Sequence, residues 1–238
     1  MNIFSVRQLS TVDYPGQVAS VIYFGGCNLR CPFCHNEDLV LPDRLASLPR
    51  LSVEEALSQV VAASKLTSAV VLSGGEPTLA GTSLISFAER LRGLGKLVKL
   101  DTNGLAPFII DELSSAGLID YLALDAKTSP HRYSTELAGA SVSEEAFQST
   151  LTSLRKRTRV TTVEVRTTCV PGLVSLEDIH VLGPLVAEAG DTWVLQQFVP
   201  RFCMDPAYRE KVPYSLEELQ LLASTARQYV PKVQLRGV

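Results

Sequence analysis

Val18-Ala19-Ser20-Val21-Ile22-Tyr23-Phe24-Gly25-Gly26-Cys27-Asn28-Leu29-Arg30-Cys31-Pro32-Phe33-Cys34-His35-Asn36 runs from an apolar stretch directly into a loop holding three of the chain's five cysteines. The apolar part shows no strict alternation, as expected of a strand buried on both faces of a parallel sheet. The loop spaces its thiols C-x3-C-x2-C. So tight a turn can aim three thiolates at one point, but it supplies no fourth. Structural zinc takes four closed ligands, and electron-transfer iron–sulfur clusters usually take four cysteines. Three thiols at this spacing point to a cluster with one iron open to another ligand. A zinc site would need His35, Cys169 or Cys203 as its fourth ligand, and the chain has no second C-x-x-C pair to support it.

The same alternation continues along the chain. Strands are expected at Val18–Phe24, Ala69–Leu72, Leu97–Leu100, Tyr121–Leu124, Thr162–Thr167 and Trp193–Phe198. Helices are expected near residues 53–64, 83–93, 107–116, 144–157, 176–188 and 215–229. Ser52-x-x-Glu55 and Ser215-x-x-Glu218 read as capping boxes, and Gly117 as a helix stop. Repeated βα units imply an α/β fold with a parallel sheet and right-handed crossovers. Six units make either an open sheet or an incomplete barrel, since a full eight-unit barrel takes about 250 residues. One domain spans 1–238: an N-terminal extension (1–17) that is strand-like at Phe4–Leu9, a core (18–200), and a C-terminal part (201–238). That last part holds a loop at 200–213, a helix and a short strand at Val233–Leu235.

With 46% hydrophobic and 20% charged residues the composition is that of an ordinary globular protein. A net charge of −3 gives no footprint for nucleic acid. The one basic run, Arg155-Lys156-Arg157-Thr158-Arg159, reads as a solvated helix end in preference to a docking patch. No apolar run approaches the roughly 18 residues of a membrane span, and the N-terminus lacks the order of a signal peptide. Five cysteines do not form a disulfide framework. A reducing, cytoplasmic location is expected, and an exposed low-potential cluster favours an anaerobic one.

Polar residues gather directly after the strands: Ser73-Gly74-Gly75-Glu76-Pro77-Thr78 after the second, Asp101-Thr102-Asn103-Gly104 after the third, Asp125-Ala126-Lys127 after the fourth. In parallel α/β folds these strand ends form the active face. The Gly-Gly turn can be mere tight geometry. It can also present a backbone edge to the ammonium and carboxylate of an amino acid, with Glu76 supplying charge. Asp101 and Asp125 either cap loops or contact a ribose, an ammonium or a cation. Lys127, two positions past Asp125, points the same way. Arg166, inside a strand, needs a partner if buried: a ligand carboxylate, Glu164 or Asp125. Cys169 and Cys203 read as ordinary buried thiols and Trp193 as core, while His131 and His180 have no assigned chemistry.

C-x3-C-x2-C followed by a strand-end Gly-Gly-Glu resembles the radical S-adenosylmethionine superfamily. Ser10-Thr11-Val12-Asp13-Tyr14-Pro15-Gly16, then Phe24 to Asn36 with its Cys34-His35-Asn36 ending, resembles the glycyl-radical-enzyme activases. Within these the chain is most similar to the activating proteins of anaerobic ribonucleoside-triphosphate reductase, with pyruvate formate-lyase activating enzyme a near relative. The resemblance implies an incomplete (β/α)6 barrel carrying a [4Fe-4S] cluster on Cys27, Cys31 and Cys34. S-adenosylmethionine would chelate the open iron. Phe33, Cys34, His35, Gly74, Gly75, Glu76, Asp101, Thr102, Asn103, Asp125, Lys127 and Arg166 would surround that cofactor. Asp101, Thr102 and Asp125 match positions that hold a monovalent cation in pyruvate formate-lyase activase.

Two departures stand out. Gln196 and Gln197 occupy the region where that activase has a histidine, and there is no cysteine-rich insertion between Cys34 and Ser73, as in a single-cluster enzyme. The resemblance further implies an electron donor of flavodoxin or ferredoxin type. It implies cleavage of S-adenosylmethionine to a 5′-deoxyadenosyl radical, and hydrogen abstraction from a glycine of a partner protein. Two other readings compete: a radical enzyme acting on a small molecule, such as a 7-carboxy-7-deazaguanine synthase, and a non-catalytic metal-binding module.

Overall fold

The computed structural model describes residues 1–137, 144–156 and 162–238. In chain order the elements are β1 (Ile3–Ser10), β2 (Ala19–Phe24), α1 (Glu37–Val40), α2 (Pro42–Ser47), α3 (Val53–Ala62), β3 (Ala69–Gly74), α4 (Thr82–Gly93), β4 (Leu97–Thr102) and α5 (Pro107–Ser115). There follow β5 (Tyr121–Asp125), α6 (Tyr133–Glu136), α7 (Glu144–Arg155), β6 (Thr162–Cys169), α8 (Leu176–Ala189), β7 (Thr192–Gln197), α9 (Pro206–Arg209), α10 (Leu216–Ala226) and β8 (Val233–Arg236). Short 3-10 turns lie at Pro77–Ala80 and Pro130–Arg132.

All eight strands form one sheet in sequence order, β1 to β8. β1 is antiparallel to β2, and every later neighbour pair is parallel. The six parallel units expected from the sequence are therefore present as β2 to β7, with β1 and β8 added at the edges. Among the described residues no pairing joins β8 back to β1, so the sheet is a partial barrel.

Strand residues alternate between two apolar regions. Ile22, Phe24, Val70, Leu72, Val98, Leu100, Leu122 and Leu124 face the helices and build the main core. The opposite face holds a small cluster of Tyr14, Ala19, Val21, Ala69 and Val71, and beyond it the charged residues Lys99, Asp101, Glu164 and Arg166. Trp193 is fully buried, as expected of core, and its Nε1 donates to Thr167 Oγ1 at 3.0 Å. Ser52 and Ser215 close the two anticipated capping boxes. A third, Ser175 with Asp178, opens α8; its aspartate lies outside the Glu/Gln pattern sought in the sequence.

Four short helices interrupt segments that carried no helical expectation. α1 and α2 follow the cysteine loop, α6 follows β5, and α9 lies in the 200–213 loop. None is long enough for an amphipathic period to show. α7 ends at Arg155, two residues short of its expected end. Arg155 is exposed and lies 3.8 Å from Glu188, whereas Arg157, Thr158 and Arg159 of the basic run lie outside the described residues. Among the described residues no helix is long and apolar enough to cross a membrane.

Phe24, the last residue of β2 before the cysteine loop, packs edge-on against Phe87 of α4, with ring centroids 6.3 Å apart. Phe87 is 1% exposed. Phe87→Ala should cost about 3–5 kcal/mol, read as a lower urea midpoint, and should loosen the anchor of the loop that Phe24 leads into.

Candidate active site at the strand ends

The C-terminal ends of the parallel strands open on a cavity of about 320 Å³, within the size range of small-molecule sites. All fourteen residues singled out from the sequence line it: the three cysteines of the loop, Phe33, His35, Gly74, Gly75, Glu76, Asp101, Thr102, Asn103, Asp125, Lys127 and Arg166.

The cysteine loop is held from several sides. Gly26 N donates to Leu39 O, Arg30 N to Leu137 O, Met204 N to Cys34 O and Asp205 N to Pro32 O. His35 Nε2 lies 2.9 Å from Val199 O, and Asn36 Nδ2 donates to Gly74 O at 3.1 Å. The backbone around Cys34 is thus clasped by the segment after β7. Two glycines allow the loop to lie against β3. Gly74 has φ +118°, and a Cβ on Gly75 would run into the Gly26 carbonyl.

Cys31 is 7% exposed, and burial pushes its thiol up to about 12. Burial also raises Cys27, whose sulfur accepts a bond from Leu29 N at 3.4 Å. Asn103 Nδ2 donates to Asn28 Oδ1 at 2.7 Å and sits 3.9 Å from Cys27 Sγ. The three thiols share one cavity wall, yet no group of three or more His, Cys, Asp or Glu among the described residues is gathered as a single-ion site. Three thiols lining one wall, with the Lys127 charge acting on Cys31, suit a multi-iron group held on one side. They suit a closed zinc site less well. Cys169 is fully buried and lies outside the cavity lining. Cys203, buried in the clasping segment, has its sulfur 3.8 Å from Val199 O.

Opposite the loop stands an ionic lattice. Arg166 donates through Nε to Asp125 Oδ1 at 2.8 Å and through Nη1 to Asp101 Oδ1 at 3.3 Å. Of the two protein partners anticipated for it, Asp125 is confirmed and Glu164 is replaced by Asp101. Glu164 pairs with Arg236 at 2.8 Å and accepts from Tyr121 at 2.8 Å. Lys127 Nζ lies 3.2 Å from Asp125 Oδ2, the shared direction expected from their spacing. Burial works to raise the Asp125 carboxyl, and the Arg166 and Lys127 charges overcome it, holding it at about 2. Burial likewise opposes the charge on Lys127 and Arg166, but the neighbouring aspartates leave both above their ordinary values.

Glu76 lines the cavity beside Gly74 and Gly75 and is held there by the protein's own donors. It is 2% exposed and its two oxygens receive four donors: Thr78 N, Thr78 Oγ1, Thr102 Oγ1 and Asn103 N. Burial raises its carboxyl, and those donors act against the rise. It therefore staples the loops after β3 and β4 together at the cavity floor.

Lys99 gains importance only in the structure, and Gln197, noted in the sequence for standing where the activase has a histidine, gains a fixed orientation. Lys99, 2.8 Å from Asp101 Oδ1, lies two positions before that aspartate on the same strand face, a signal that was available in the sequence. Gln197 donates through Nε2 to Tyr214 O at 2.8 Å, which fixes its orientation, and its buried Oε1 has no donor among the described residues.

The sequence matches the Radical SAM superfamily over residues 21–179. It is 35% identical over 239 residues to a Methanocaldococcus jannaschii protein provisionally named a glycyl-radical enzyme activating enzyme, covering 99% of this chain and 96% of that one. It is 30% identical over 200 residues to the pyruvate formate-lyase 1-activating enzyme of Escherichia coli, covering 79% and 76%. The fold matches that of coproporphyrinogen III oxidase from Escherichia coli, described as a radical SAM enzyme, with a TM-score of 0.62 at 15% identity over 92% of this chain and 54% of that one.

Gly75→Ala should cost about 1–3 kcal/mol and displace the cysteine loop; reduced iron uptake beside a lowered thermal midpoint is the expected readout. A second outcome follows from the depressed Asp125 carboxyl. Its contribution is complete above the unfolded carboxyl value of about 3.9 and is lost as pH falls through about 2. The wild type should lose on the order of 2 kcal/mol over that acid range. Asp125→Asn should start less stable and show a flatter acid limb in urea titrations.

Proposed function

We propose that this chain, which belongs to the radical SAM superfamily and within it to the glycyl-radical enzyme activating branch, reductively cleaves S-adenosylmethionine and generates a glycyl radical in a partner protein. Members of the superfamily use a [4Fe-4S] cluster together with S-adenosylmethionine. The supporting observation is that three thiols of one loop share a cavity with the cations and carboxylates of four strand ends.

In this reading Cys27, Cys31 and Cys34 hold the cluster as thiolates. Burial opposes deprotonation of Cys31, so iron binding must displace that proton, and the Lys127 charge acts in the favourable direction. Lys127 and Arg166 retain N–H donors beyond those given to Asp125 and Asp101, and these receive the carboxylate of the methionine moiety. Gly74 and Gly75 present their backbone edge to its amino group, and Glu76 sets the negative charge beneath. Phe33, His35 and Asn103 form the wall beside the adenosyl group, and Gln197 Oε1 accepts from a hydroxyl or N–H there.

Held by Cys27, Cys31 and Cys34, the cluster would supply the electron for reductive cleavage of bound S-adenosylmethionine, the chemistry needed to take a hydrogen atom from the Cα of a glycine in the partner. The residues above supply orientation and exclude water. The sheet is left open, with no β8–β1 pairing among the described residues, and a peptide loop would enter at that open side. The partner we favour is an anaerobic ribonucleoside-triphosphate reductase. A flavodoxin- or ferredoxin-like protein serves as electron donor, and the setting is the cytoplasm.

Anaerobic reconstitution with iron and sulfide tests this reading. The wild type should bind both and cleave S-adenosylmethionine in the presence of dithionite. Cys31→Ala should lose both properties and Cys169→Ser should keep them. Arg166→Met should bind S-adenosylmethionine about tenfold more weakly or worse with iron content unchanged. Mixed with the reductase, the active protein should give a glycyl radical signal in its paramagnetic resonance spectrum. Cleavage without that signal in any glycyl-radical enzyme would move the assignment to a small-molecule substrate, and zinc binding alone would end the enzyme reading.

A further inference from the structure

We propose that Lys99 is a built-in counter-ion for Asp101 that positions Arg166 and takes the place of a free monovalent cation at the ends of β4 and β5. The inference rests on the S-adenosylmethionine reading for its ligand, but its electrostatics stand on the chain alone.

Lys99 has only 4% of its side chain exposed. Its ammonium lies 2.8 Å from Asp101 Oδ1, donates to the Asp13 carbonyl at 2.7 Å and sits 5.6 Å from the centroid of the Tyr121 ring. Two oxygens and an aromatic face therefore surround a compact point charge, as they could surround an alkali ion of similar size. The Asp13 carbonyl belongs to the β1–β2 loop, so this contact also ties the N-terminal segment to the barrel interior.

The three side chains matched to cation-holding positions are already committed. Asp101 Oδ1 takes Lys99 and Arg166, and its Oδ2 accepts from Ser73 Oγ at 2.9 Å. Asp125 gives one oxygen to Arg166 and the other to Lys127. The Thr102 hydroxyl donates to Glu76 at 2.8 Å and accepts from Gly104 N at 3.1 Å. Lys99, Lys127 and Arg166 set against Asp101, Asp125 and Glu76 leave no net charge. A further cation would find these carboxylate oxygens already occupied and no net negative charge to hold it, with the Lys99 and Arg166 charges close by to repel it.

Burial works to raise the Asp101 carboxyl, and the Arg166 and Lys99 charges outweigh it. Lys99 at 2.8 Å and Arg166 at 3.3 Å thus supply the positive charge at Asp101 Oδ1. Removing Lys99 would leave Asp101 short of positive charge and open a space beside it, the condition under which a potassium or sodium ion would be taken up.

The experiment compares potassium, sodium and choline chlorides at equal ionic strength. It measures the thermal midpoint of the protein without S-adenosylmethionine, and the affinity of the reconstituted protein for it. For the wild type, both quantities should be the same in the three salts. Lys99→Ala in choline should melt lower and bind S-adenosylmethionine about tenfold more weakly; potassium or sodium should restore most of both. Lys99→Arg, which keeps the charge, should be independent of the salt and serves if the alanine variant does not fold. A wild-type midpoint or affinity that rises with potassium or sodium over choline overturns the proposal. So does a Lys99→Ala defect equal in all three salts, which would make the lysine a structural pair and nothing more. If no salt supports S-adenosylmethionine binding, the functional reading falls, while the midpoints still decide the role of Lys99.

Discussion

Arg166 sits between the carboxylates of Asp101 and Asp125, one from each of two adjacent strand ends, and its guanidinium cannot shed its charge. A permanent cation inside a barrel must be paired, and each carboxylate that pairs it must then be balanced in turn. Lys127 completes Asp125 and Lys99 completes Asp101. One layer down the same face, Glu164 is matched by Arg236 of β8. The lattice thus runs through β4, β5, β6 and β8. It penalises any slip of register, because a slip of one residue would turn these charges into the apolar layer against the helices.

A steric constraint of equal importance operates on the other wall. The cysteine loop reaches the cavity only because β3 ends in Gly74-Gly75, where side chains would collide with Phe24 and Gly26 backbone. The apolar core drives β2 and β3 together, and the missing Cβ atoms let the loop settle on the strand end. Glu76, immediately afterwards, draws Thr102 and Asn103 to the same floor. Packing therefore sets the distance between the thiols and the charged lattice.

The parallel strands and the membership of the cavity were legible because both follow from local rules. Continuous apolar runs mark buried strands, and polar residues at their ends share one face of the fold. Hydrogen-bond partners were less legible, because they depend on which loops meet in space. Glu76 was readable as a charge beside a Gly-Gly turn, but not the donors from two loops that its oxygens accept. Arg166 was expected to need a partner, and the second one, Asp101, became visible only once β4 and β6 were placed on either side of β5. Helices of four to six residues such as α1, α2 and α9 are too short to imprint a period on the sequence, and the closing contacts of the cysteine loop come from a segment about 165 positions away.

Those distant contacts bear on how the loop can work. Its backbone is tied to Leu39, Leu137, Met204 and Asp205 by hydrogen bonds of the chain itself, so much of the entropy of ordering the thiols is spent during folding. A metal group arriving at such a loop has little left to organise. The remaining cost is electrostatic: buried thiols with raised proton affinity must become thiolates. In the proposed cluster site that cost would be met by the iron and by Lys127, which Asp125 keeps charged. The carboxylate paired with Arg166 therefore acts on both walls of the cavity: it holds the lattice in register and maintains the cation that faces the cysteines.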